Sequence, residues 1–283
     1  MKKVLVTGAT GFVGNYVVEE LLRKGFTVIA TSSDKKKAAL QRWFNDVVYI
    51  DLNLKSFDAG INYFNYLHQP DLMIHLAWEG LPNYTDDFHI KENLPRHKNL
   101  LENLLRNGLK DITVTGTCFE YGMKEGCLSE EMQCNPENAY AVAKNELRKW
   151  LQAISIEVKF NLKWIRLFYM YGKGQNQNSL ISQLDKAIAG NDHVFNMSGG
   201  EQIRDFLPVE KVAEYVVAIA LQKKLLGLVN CCSGIPVTVK DFVKDYLQRN
   251  NKMIQLNLGY YNYSEIEPMS FWGDNKKLKS IFK

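Results

Sequence analysis

The stretch TGATGFVG, residues 7–14, restricts the fold of this chain more than any other feature. A short β-branched run precedes it and an amphipathic segment follows it, so Gly8, Gly11 and Gly14 lie where a strand turns into a helix. Glycine is needed there if backbone N–H groups and the helix N-terminus are to contact a pyrophosphate without side chains in the way. Because the strand, the turn and the helix occur in that order, the motif predicts a dinucleotide-binding site.

The same alternation of β-branched runs and amphipathic segments continues along the first half of the chain. The predicted strands are 4–6, 27–31, 47–50, 72–76, 112–115 and 163–168, and the predicted helices are 15–24, one after residue 34, 56–68, 89–107 and 139–156. Strands that alternate with helices form βαβ units and a parallel sheet. We therefore predict an α/β fold, a Rossmann-type doubly wound parallel sheet with helices on both faces and a small C-terminal substrate-binding lobe.

The pattern changes after residue 168, where loops rich in Gly, Asn and Gln appear. The apolar helical period within 207–225 predicts a helix that packs back on the first domain. A strand near 228–231 and a helix at 239–249 are assigned to the smaller lobe. The predicted dinucleotide-binding domain is thus 1–168 with 207–225, and the predicted smaller lobe is 169–206 with 226–283.

Composition limits the location and the partners of the chain. No stretch approaches the ~20 uninterrupted apolar residues that a membrane span needs, so no membrane association is predicted. Five cysteines, without C-x-x-C spacing or an export signal, indicate reduced thiols and a cytoplasmic location, and no metal site is predicted. The net charge of +4 comes from dispersed lysines, which argues against nucleic-acid binding.

The end of the second strand bears on the identity of the dinucleotide. NAD sites usually have an acid there for the ribose 2′-OH, whereas this chain has Ser32 and Ser33, followed by Asp34 and three lysines. We predict a preference for NADP(H), with Ser32, Ser33 and Lys35 at the 2′-phosphate, and NAD(H) as the alternative if Asp34 folds back on the ribose. Asp51 closes the third strand and is predicted either to reach the adenine or to cap a turn.

Tyr140 and Lys144 are four residues apart at the start of a predicted helix, which puts them on one face of that helix. A tyrosine with its ordinary pKa of ~10 is a poor acid or base at neutral pH. A lysine charge close by favours the phenolate, so the pair predicts proton transfer by Tyr140.

These residues belong to a larger set of motifs. The glycine turn, His75-Leu76-Ala77, Thr117 and Tyr140-x-x-x-Lys144 resemble the extended short-chain dehydrogenase/reductase family of nucleotide-sugar epimerases, dehydratases and reductases. The resemblance continues through IRLFYMYGKGQ, GGEQIRDFLPVEKVA and GLVNCCSG, and so covers nearly the whole chain. It implies that the smaller lobe binds a nucleotide sugar and that the chain forms a homodimer through the helices at 89–107 and 139–157.

The resemblance also implies residue roles. Tyr140 is the expected acid/base, Lys144 holds the nicotinamide ribose, Thr117 lies beside the substrate oxygen, and Arg204 clamps the diphosphate. The expected cofactor-binding residues are Gly8, Thr10, Gly11, Phe12, Val13, Gly14, Ser32, Ser33, Lys35, Asp51, Leu52, Leu76, Ala77, Trp78, Asn93, Tyr140 and Lys144. The expected substrate-binding residues are Trp78, Glu79, Tyr84, Thr117, Asn178 and Arg204.

Two of these assignments, Trp78 and Asn178, have open alternatives. Trp78 either contacts the C6 methyl of a deoxysugar or packs beneath the loop that follows the fourth strand. Glu79 is expected to bind a sugar hydroxyl. Asn178 either contacts the nucleotide or caps the helix that begins nearby.

Sequence differences from the family exclude two of its reactions. The 4,6-dehydratases carry an Asp-Glu pair directly after the Ser/Thr, where this chain has Cys118-Phe119. The 3,5-epimerising reductases use a cysteine at the position of Phe119 and a histidine that is absent from YGKGQ. Cys118 is expected to pack in the interior, Glu120 to order its loop, and Tyr121 to move no proton.

Two reactions remain, reduction of a 4-keto sugar nucleotide and 4-epimerisation with retained NAD. The second strand and the stretches HLAWEGLPNY, GTCFEYG and FWGD favour a reductase of a dTDP- or CDP-4-keto-6-deoxyhexose, as in bacterial surface-polysaccharide pathways. A non-catalytic NADP-binding sensor is the rival from another class. Such a protein would have lost Tyr140 or Lys144, and both are present.

Overall fold

The computed structural model describes residues 2–282, so Met1 and Lys283, the outer ends of the predicted domains, lie outside the described residues. The strands are β1 (Lys3–Thr7), β2 (Thr27–Ser32), β3 (Val48–Asp51), β4 (Leu72–His75), β5 (Asp111–Thr117), β6 (Gly126–Leu128), β7 (Asn161–Leu167), β8 (Tyr169–Tyr171), β9 (Val194–Asn196), β10 (Ile203–Arg204), β11 (Phe206–Pro208), β12 (Gly227–Cys231), β13 (Val237–Thr238), β14 (Gln255–Asn257) and β15 (Phe271–Gly273). The α-helices are α1 (Phe12–Arg23), α2 (Lys35–Ala39), α3 (Tyr63–Tyr66), α4 (Leu94–Arg106), α5 (Ala139–Glu157), α6 (Leu180–Ala189), α7 (Val209–Leu221), α8 (Val239–Arg249) and α9 (Lys276–Lys279). Short 3-10 turns lie at Leu54–Ser56 and Cys118–Tyr121, among others, and a π-helical turn at His89–Asn93 leads into α4.

A seven-stranded parallel sheet forms the centre, in the order β12-β7-β5-β4-β1-β2-β3. One hydrophobic cluster joins the sheet to α1 and α7, and a second joins it to α4 and α5. The predicted doubly wound parallel sheet with helices on both faces is therefore confirmed. The strand order reverses between β1 and β4, and ligands of such folds bind at the carboxyl ends of the strands beside that reversal.

The predicted helix at 56–68 is wrong over most of its length. Only the 3-10 turn Leu54–Ser56 and the single turn of α3 are helical there. The Asp58 carboxylate accepts the Gly60 N–H at 2.8 Å, and the Asn62 side chain caps α3. Short polar side chains that bond nearby backbone groups compete with helix formation, which explains the interruption.

The predicted division of the chain differs from the structure at β12. This strand, expected in the smaller lobe, pairs with β7 and forms the edge of the central sheet. If β12 lay in the smaller lobe, one side of β7 would present unpaired N–H and C=O groups. The β12 residues Val229, Asn230 and Cys231 are buried in this position. Leu278 of α9 also belongs to the central hydrophobic cluster, so the stretch 226–283 is shared between the sheet and the lobe.

A separate hydrophobic cluster lies outside the sheet and is formed mainly by α6, α8, β9 and β14. Its buried members include Leu184, Phe195, Phe242 and Val243. The Phe206 and Phe242 rings stack at 3.9 Å and connect this cluster to β11, which pairs with β8. Within residues 2–282, no helix combines the length and the apolar character that a bilayer span requires.

Candidate active site

The glycine turn is shaped by two close backbone approaches. Gly8 has a φ of +68°, and a Cβ there would lie 2.7 Å from the Ala77 backbone nitrogen. A Cβ on Gly14 would lie 2.1 Å from the Gly8 carbonyl oxygen, so α1 can pack on the turn only with glycine at that position. The Gly11 N–H donates to the Gly8 carbonyl at 2.9 Å. The turn therefore leaves bare backbone at the start of α1, which fits a pyrophosphate.

A cleft runs from this turn along the carboxyl ends of β1, β2 and β4. Of the predicted cofactor-binding residues, it is lined by Gly8, Thr10, Gly11, Ser32, Ser33, Leu52, Leu76, Ala77, Trp78 and Asn93. Residues that the sequence analysis missed also line it, namely Thr7, Thr31, Lys37, Leu54, Arg96 and His97, as does Glu79, which was expected at the substrate. Phe12, Val13, Gly14, Lys35, Asp51, Tyr140 and Lys144 are outside this lining.

The end of the cleft beside β2 differs from the prediction in two residues. Lys35 is exposed, whereas Lys37 borders the cleft one half-turn later in α2. The Asp34 carboxylate accepts the Lys37 N–H at 2.9 Å as the N-cap of α2, so it does not fold towards a ribose. Ser32 is buried, and its hydroxyl bonds the Tyr49 hydroxyl at 2.9 Å.

The wall expected from Asp51 is apolar instead. Asp51 is exposed, and the following residues Leu52 and Leu54 line the cleft. Asp51 occupies the last position of β3, where strand alternation turns its side chain away from the neighbouring lining residue Leu52. The adenine contact predicted for Asp51 thus has no support in the geometry.

The three predicted catalytic residues lie together beside this cleft. Thr117 ends β5 close enough to Tyr140, in the first turn of α5, to lower the pKa of the Tyr140 hydroxyl. Lys144 lies one turn later and donates from Nζ to the Thr115 carbonyl at 2.9 Å. All three side chains are buried, and the Tyr140 N–H donates to the Tyr84 carbonyl at 2.9 Å. Proton donors are thus held close together in an environment of low polarity.

Electrostatics make Tyr140 an acid that keeps its proton. Burial raises the pKa of Tyr140. The neighbouring Tyr84, Glu120 and Cys118 raise that pKa further, and only Thr117 lowers it. This differs from the expectation that Lys144 lowers the tyrosine pKa. The Lys144 Nζ is 6.0 Å from the centre of the Tyr140 ring, and desolvation outweighs its charge at the phenol.

Lys144 itself is weakly basic for a lysine. Burial lowers the pKa of Lys144 to about 7, and the negative charge of Glu120 opposes that shift. Its ammonium lies over the Trp78 ring, with Nζ 4.0 Å from the ring centre. A cation over an aromatic face is stabilised electrostatically, so the indole supports the charged form of the lysine.

A buried carboxylate stabilises the turn at residues 117–121, which we call the catalytic turn. Glu120 accepts hydrogen bonds at Oε1 from the Thr117 N–H and the Trp164 Nε1–H, both at 3.0 Å, and at Oε2 from the Arg166 Nε–H at 2.9 Å. The Thr117 hydroxyl in turn accepts the Phe119 N–H at 3.2 Å. The expected loop-ordering role of Glu120 agrees with these contacts, but its partners on β7 were not found from the sequence.

The other side chains of the turn are structural. Cys118 is buried, and desolvation raises the pKa of its thiol far above neutral pH, so it is no nucleophile. Tyr121 is fully buried and donates its hydroxyl proton to Asn230 at 2.8 Å. Within residues 2–282, no three His, Cys, Asp or Glu side chains gather where they could hold a metal ion.

A chain of histidines lies under the cleft and was not found from the sequence. His75 bonds the Thr7 hydroxyl at 2.7 Å through Nδ1 and His97 at 2.8 Å through Nε2. Burial, together with the charge of Lys144, lowers the pKa of His75 to about 3 and that of His97 well below its usual value, so both stay neutral. The Trp78 indole stacks on His97 at 4.6 Å.

Trp78 and Glu79 have neighbours other than those expected of sugar-binding residues. The Trp78 Nε1–H donates to His89 at 3.1 Å, and the ring packs against the second hydrophobic cluster and under the Lys144 ammonium, so the packing alternative describes its contacts. Glu79 pairs with Lys55 at 3.2 Å and lies 3.9 Å from Arg96 at the edge of the cofactor cleft. Ionic partners compete with a sugar hydroxyl for that carboxylate.

Tyr84 and Asn178 have opposite outcomes. The Tyr84 ring is 5.6 Å from the Tyr140 ring and 5.2 Å from the Phe119 ring, which brings it beside the catalytic residues. Asn178 is exposed, and its hydrogen bonds use its backbone only, to Asn176 and Gln183. Because α6 begins after Ser179, Asn178 does not cap it either.

Arg204 is already engaged by protein groups. Its Nη1 donates to the Ile203 and Met269 carbonyls at 2.9 and 3.2 Å, and its Nη2 donates to Glu267 at 3.0 Å. Glu267 also accepts a hydrogen bond from the Tyr169 hydroxyl. An arginine has five N–H groups, so the guanidinium can still donate to a diphosphate, but beside a carboxylate that the sequence analysis missed.

The chain is similar in sequence and in fold to known proteins. The model of the NAD dependent epimerase/dehydratase family matches residues 4–231. A dTDP-6-deoxy-L-talose 4-dehydrogenase (NAD(+)) from Aggregatibacter actinomycetemcomitans is 29% identical over 95% of this chain and 98% of that protein. A dTDP-4-dehydro-6-deoxyglucose reductase from Escherichia coli is 24% identical over 88% and 82%, respectively. The structure of a UDP-glucuronic acid 4-epimerase from Bacillus cereus with UDP-glucuronic acid and NAD has a TM-score of 0.83 at 22% identity, covering 99% of this chain and 92% of that one, which shows a common fold.

Proposed function

This chain belongs to the NAD dependent epimerase/dehydratase family, and from that premise we propose that it is a reductase of a nucleotide-activated 4-keto-6-deoxyhexose. The proposed substrate is dTDP-linked, and the proposed product is a deoxysugar precursor of lipopolysaccharide O-antigen or capsule. A reduced nicotinamide, when bound, supplies the hydride for sugar C4. The protein supplies the proton for the C4 oxygen and holds that oxygen in place.

One observation carries the choice of reduction. Tyr140 is buried beside Thr117 and Lys144, and its pKa is raised mainly by that burial. A phenol with a raised pKa stays protonated at neutral pH and is an acid rather than a base. Reduction of a ketone needs only that acid, whereas 4-epimerisation needs a base for its oxidation step as well as an acid for its reduction step.

The relatives' names support the substrate class. A dTDP-6-deoxy-L-talose 4-dehydrogenase and a dTDP-4-dehydro-6-deoxyglucose reductase are both similar to most of this chain. In each name the nucleotide is dTDP and the sugar is a 6-deoxyhexose. Dehydrogenation at C4 and reduction at C4 are one reaction in opposite directions, so the residue that donates the proton in reduction accepts it in dehydrogenation.

The cofactor would be held by residues that fit its parts. The bare backbone of the glycine turn suits the pyrophosphate, and two N–H groups of the Lys144 ammonium, beyond the one given to Thr115, suit the nicotinamide ribose. Ser32, Ser33 and Lys37 line the other ribose end of the cleft, without an acid from that segment. This lining supports NADP(H) as the preferred cofactor. The family description and the relative's name, which refer to NAD, support NAD(H) as the alternative.

A 4-epimerase is the second candidate. It is favoured by the same three catalytic residues and by the likeness to a UDP-glucuronic acid 4-epimerase, which shares the fold. In such an enzyme NAD stays bound and is regenerated in each cycle. The two candidates therefore differ in whether reduced cofactor is consumed.

The test is to supply dTDP-4-keto-6-deoxyglucose with NADPH or NADH and to follow the absorbance of the reduced nicotinamide. Stoichiometric oxidation is expected of the reductase, whereas interconversion of sugars without net oxidation would favour the epimerase. Tyr140→Phe should lose at least about 100-fold in turnover because the proton donor is removed, while cofactor binding persists. Normal turnover of that variant would overturn the assignment of Tyr140.

A further inference from the structure

Glu120 is a carboxylate in an unusual place. Its side chain is fully buried, directly after the catalytic strand β5, and its Oε2 is 2.9 Å from the Arg166 Nε. Replacing a buried ion pair by well-packed apolar side chains is often neutral or stabilising. The stability of the fold therefore does not by itself account for a charge at this position.

The carboxylate lies against the backbone of the catalytic strand. A Cβ on Gly116 would be 2.1 Å from Glu120 Oε1 and 2.2 Å from Trp164 Nε1, so this glycine leaves the space that the carboxylate occupies. Arg166 is opposite Gly116 in the β5–β7 register. Trp164 and Arg166 are two residues apart on β7, and alternation along a strand turns both to the same face. Strand β7 thus presents both donors to Glu120.

These contacts immobilise Thr117 at both its backbone and its side chain. Its N–H is given to Glu120, and its hydroxyl oxygen accepts the Phe119 N–H. The Phe119 N–H occupies one lone pair of the Thr117 hydroxyl oxygen, so the single hydroxyl proton remains available to an oxygen beside Tyr140. The direction of the hydroxyl is therefore determined by the turn that Glu120 closes.

We propose that Glu120 is a positioning residue for catalysis, which holds Thr117 against β7 so that its hydroxyl meets the substrate oxygen beside Tyr140. The proposal rests on the proposed function, since it concerns the oxygen that Tyr140 protonates. Arg166 and Trp164 act through Glu120 and contact neither substrate nor cofactor. Small displacements of a positioned group have large kinetic effects, which gives the proposal a measurable consequence.

The first test is a double-mutant cycle between Glu120→Gln and Thr117→Ala, measured as kcat with saturating reduced cofactor. Alone, Glu120→Gln should lower kcat about 10- to 100-fold, as expected when a catalytic group is displaced. The KM for the cofactor should change much less than kcat, because Glu120 is not part of the cofactor cleft and reaches Lys144 only through its charge. In the Thr117→Ala background, Glu120→Gln should lower kcat much less than it does in the wild type, since the hydroxyl it positions is gone.

Glu130→Gln is the matched control. Glu130 is also a buried carboxylate that accepts a backbone N–H, from Asn230 at 2.8 Å, but it has no contact with Thr117 among the described hydrogen bonds. Its substitution should leave kcat unchanged. Independent effects of Glu120→Gln and Thr117→Ala, multiplying in the double variant, would show a general structural role and overturn the proposal.

A second measurement needs no turnover. Hydrogen–deuterium exchange of the Thr117 amide should be faster in Glu120→Gln than in the wild type and unchanged in Glu130→Gln. If the wild type turns over no nucleotide sugar, the proposed function fails while this exchange still tests the positioning. Unchanged Thr117 protection would overturn it. Glu120→Asp replaces Glu120→Gln if the latter does not fold. The shorter aspartate keeps the negative charge beside Arg166 but withdraws from the Thr117 amide. Exchange of that amide should therefore be faster in this variant too.

Discussion

Two glutamate–arginine pairs lie near the candidate catalytic residues, and they differ in what surrounds them. Glu120 and Arg166 are 2.9 Å apart with side chains 0% and 1% exposed, between two central strands. Glu267 and Arg204 are 3.0 Å apart, but Glu267 is 21% exposed and follows the exposed stretch 258–266. The chemistry is the same in both pairs. The first is closed off from solvent, with Arg148 3.9 Å from the Glu120 carboxylate as its other cationic neighbour, whereas the second lies where solvent or an anionic ligand can replace the carboxylate.

Burial decides the energetic consequence of that difference. Removing one partner of a buried pair leaves an uncompensated charge that cannot reach water, whereas a partly exposed partner can turn outward and be solvated. We therefore regard Glu120–Arg166 as a fixed part of the catalytic turn and Glu267–Arg204 as an exchangeable contact at the substrate side. The predictions below would break or sharpen this contrast.

The largest expected effect is on stability. Arg166→Met should lower the free energy of unfolding by about 3 kcal/mol, because it removes the hydrogen-bonded partner of the buried Glu120 charge and leaves only Arg148, 3.9 Å away. Arg204→Met should cost clearly less, since Glu267 can turn into water. Urea unfolding of both variants would measure the difference. Equal losses would remove the distinction between a fixed and an exchangeable pair.

The next effect is a loss of stability at acidic pH, which is caused by a buried histidine and not by a buried ion pair. The pKa of His75 is about 3, below the 6.5 of the free side chain, so between those values the unfolded chain binds more protons than the folded one. Stability therefore falls as the pH drops from 6.5 towards 3, by about 2 kcal/mol at pH 5. Urea unfolding at pH 7 and pH 5 measures it. His75→Asn should flatten this slope and the exposed His193→Asn should not; an unchanged slope in His75→Asn would contradict the prediction.

A smaller effect is expected on ligand affinity. Glu267→Gln removes the anion that competes for Arg204, so a nucleoside diphosphate such as dTDP should bind about 3- to 10-fold more tightly, a change typical of one partly exposed charge. Glu265→Gln, on the same exposed segment, is the matched control and should leave the affinity unchanged. Calorimetry without a sugar substrate suffices. Weaker binding in Glu267→Gln would mean that the carboxylate helps to hold the ligand.

The smallest expected effect concerns the cofactor. Lys37→Ala should raise the KM for NADPH about 5-fold and leave that for NADH nearly unchanged, because an exposed lysine contributes modestly to a phosphate contact. Lys35→Ala is the matched control, since Lys35 is exposed and outside the cleft lining. An equal effect on both cofactors would contradict the NADP(H) preference. An effect of Lys35→Ala alone would restore the original assignment.

Much of the fold and part of the site could be predicted because they depend on short-range patterns. Strand and helix periods identified the parallel sheet, and the glycine spacing located the turn at β1. The four-residue spacing of Tyr140 and Lys144 gives one helix face whatever the rest of the chain does. Lys37 was missed by two residues because the start of α2 depends on its Asp34 cap.

The sequence by itself determined most elements of the central sheet and the glycine turn, because covalent neighbours and helical or strand periods dictate them, while the family resemblance identified Thr117, Tyr140 and Lys144 as candidate catalytic side chains. Only the tertiary structure decided their surroundings. Glu120 meets Arg166 across 46 residues and Arg204 meets Glu267 across 63, through strand register and loop placement that no local pattern encodes. The raised pKa of Tyr140 and the lowered pKa of Lys144 likewise arise from burial, which is a property of the packed molecule.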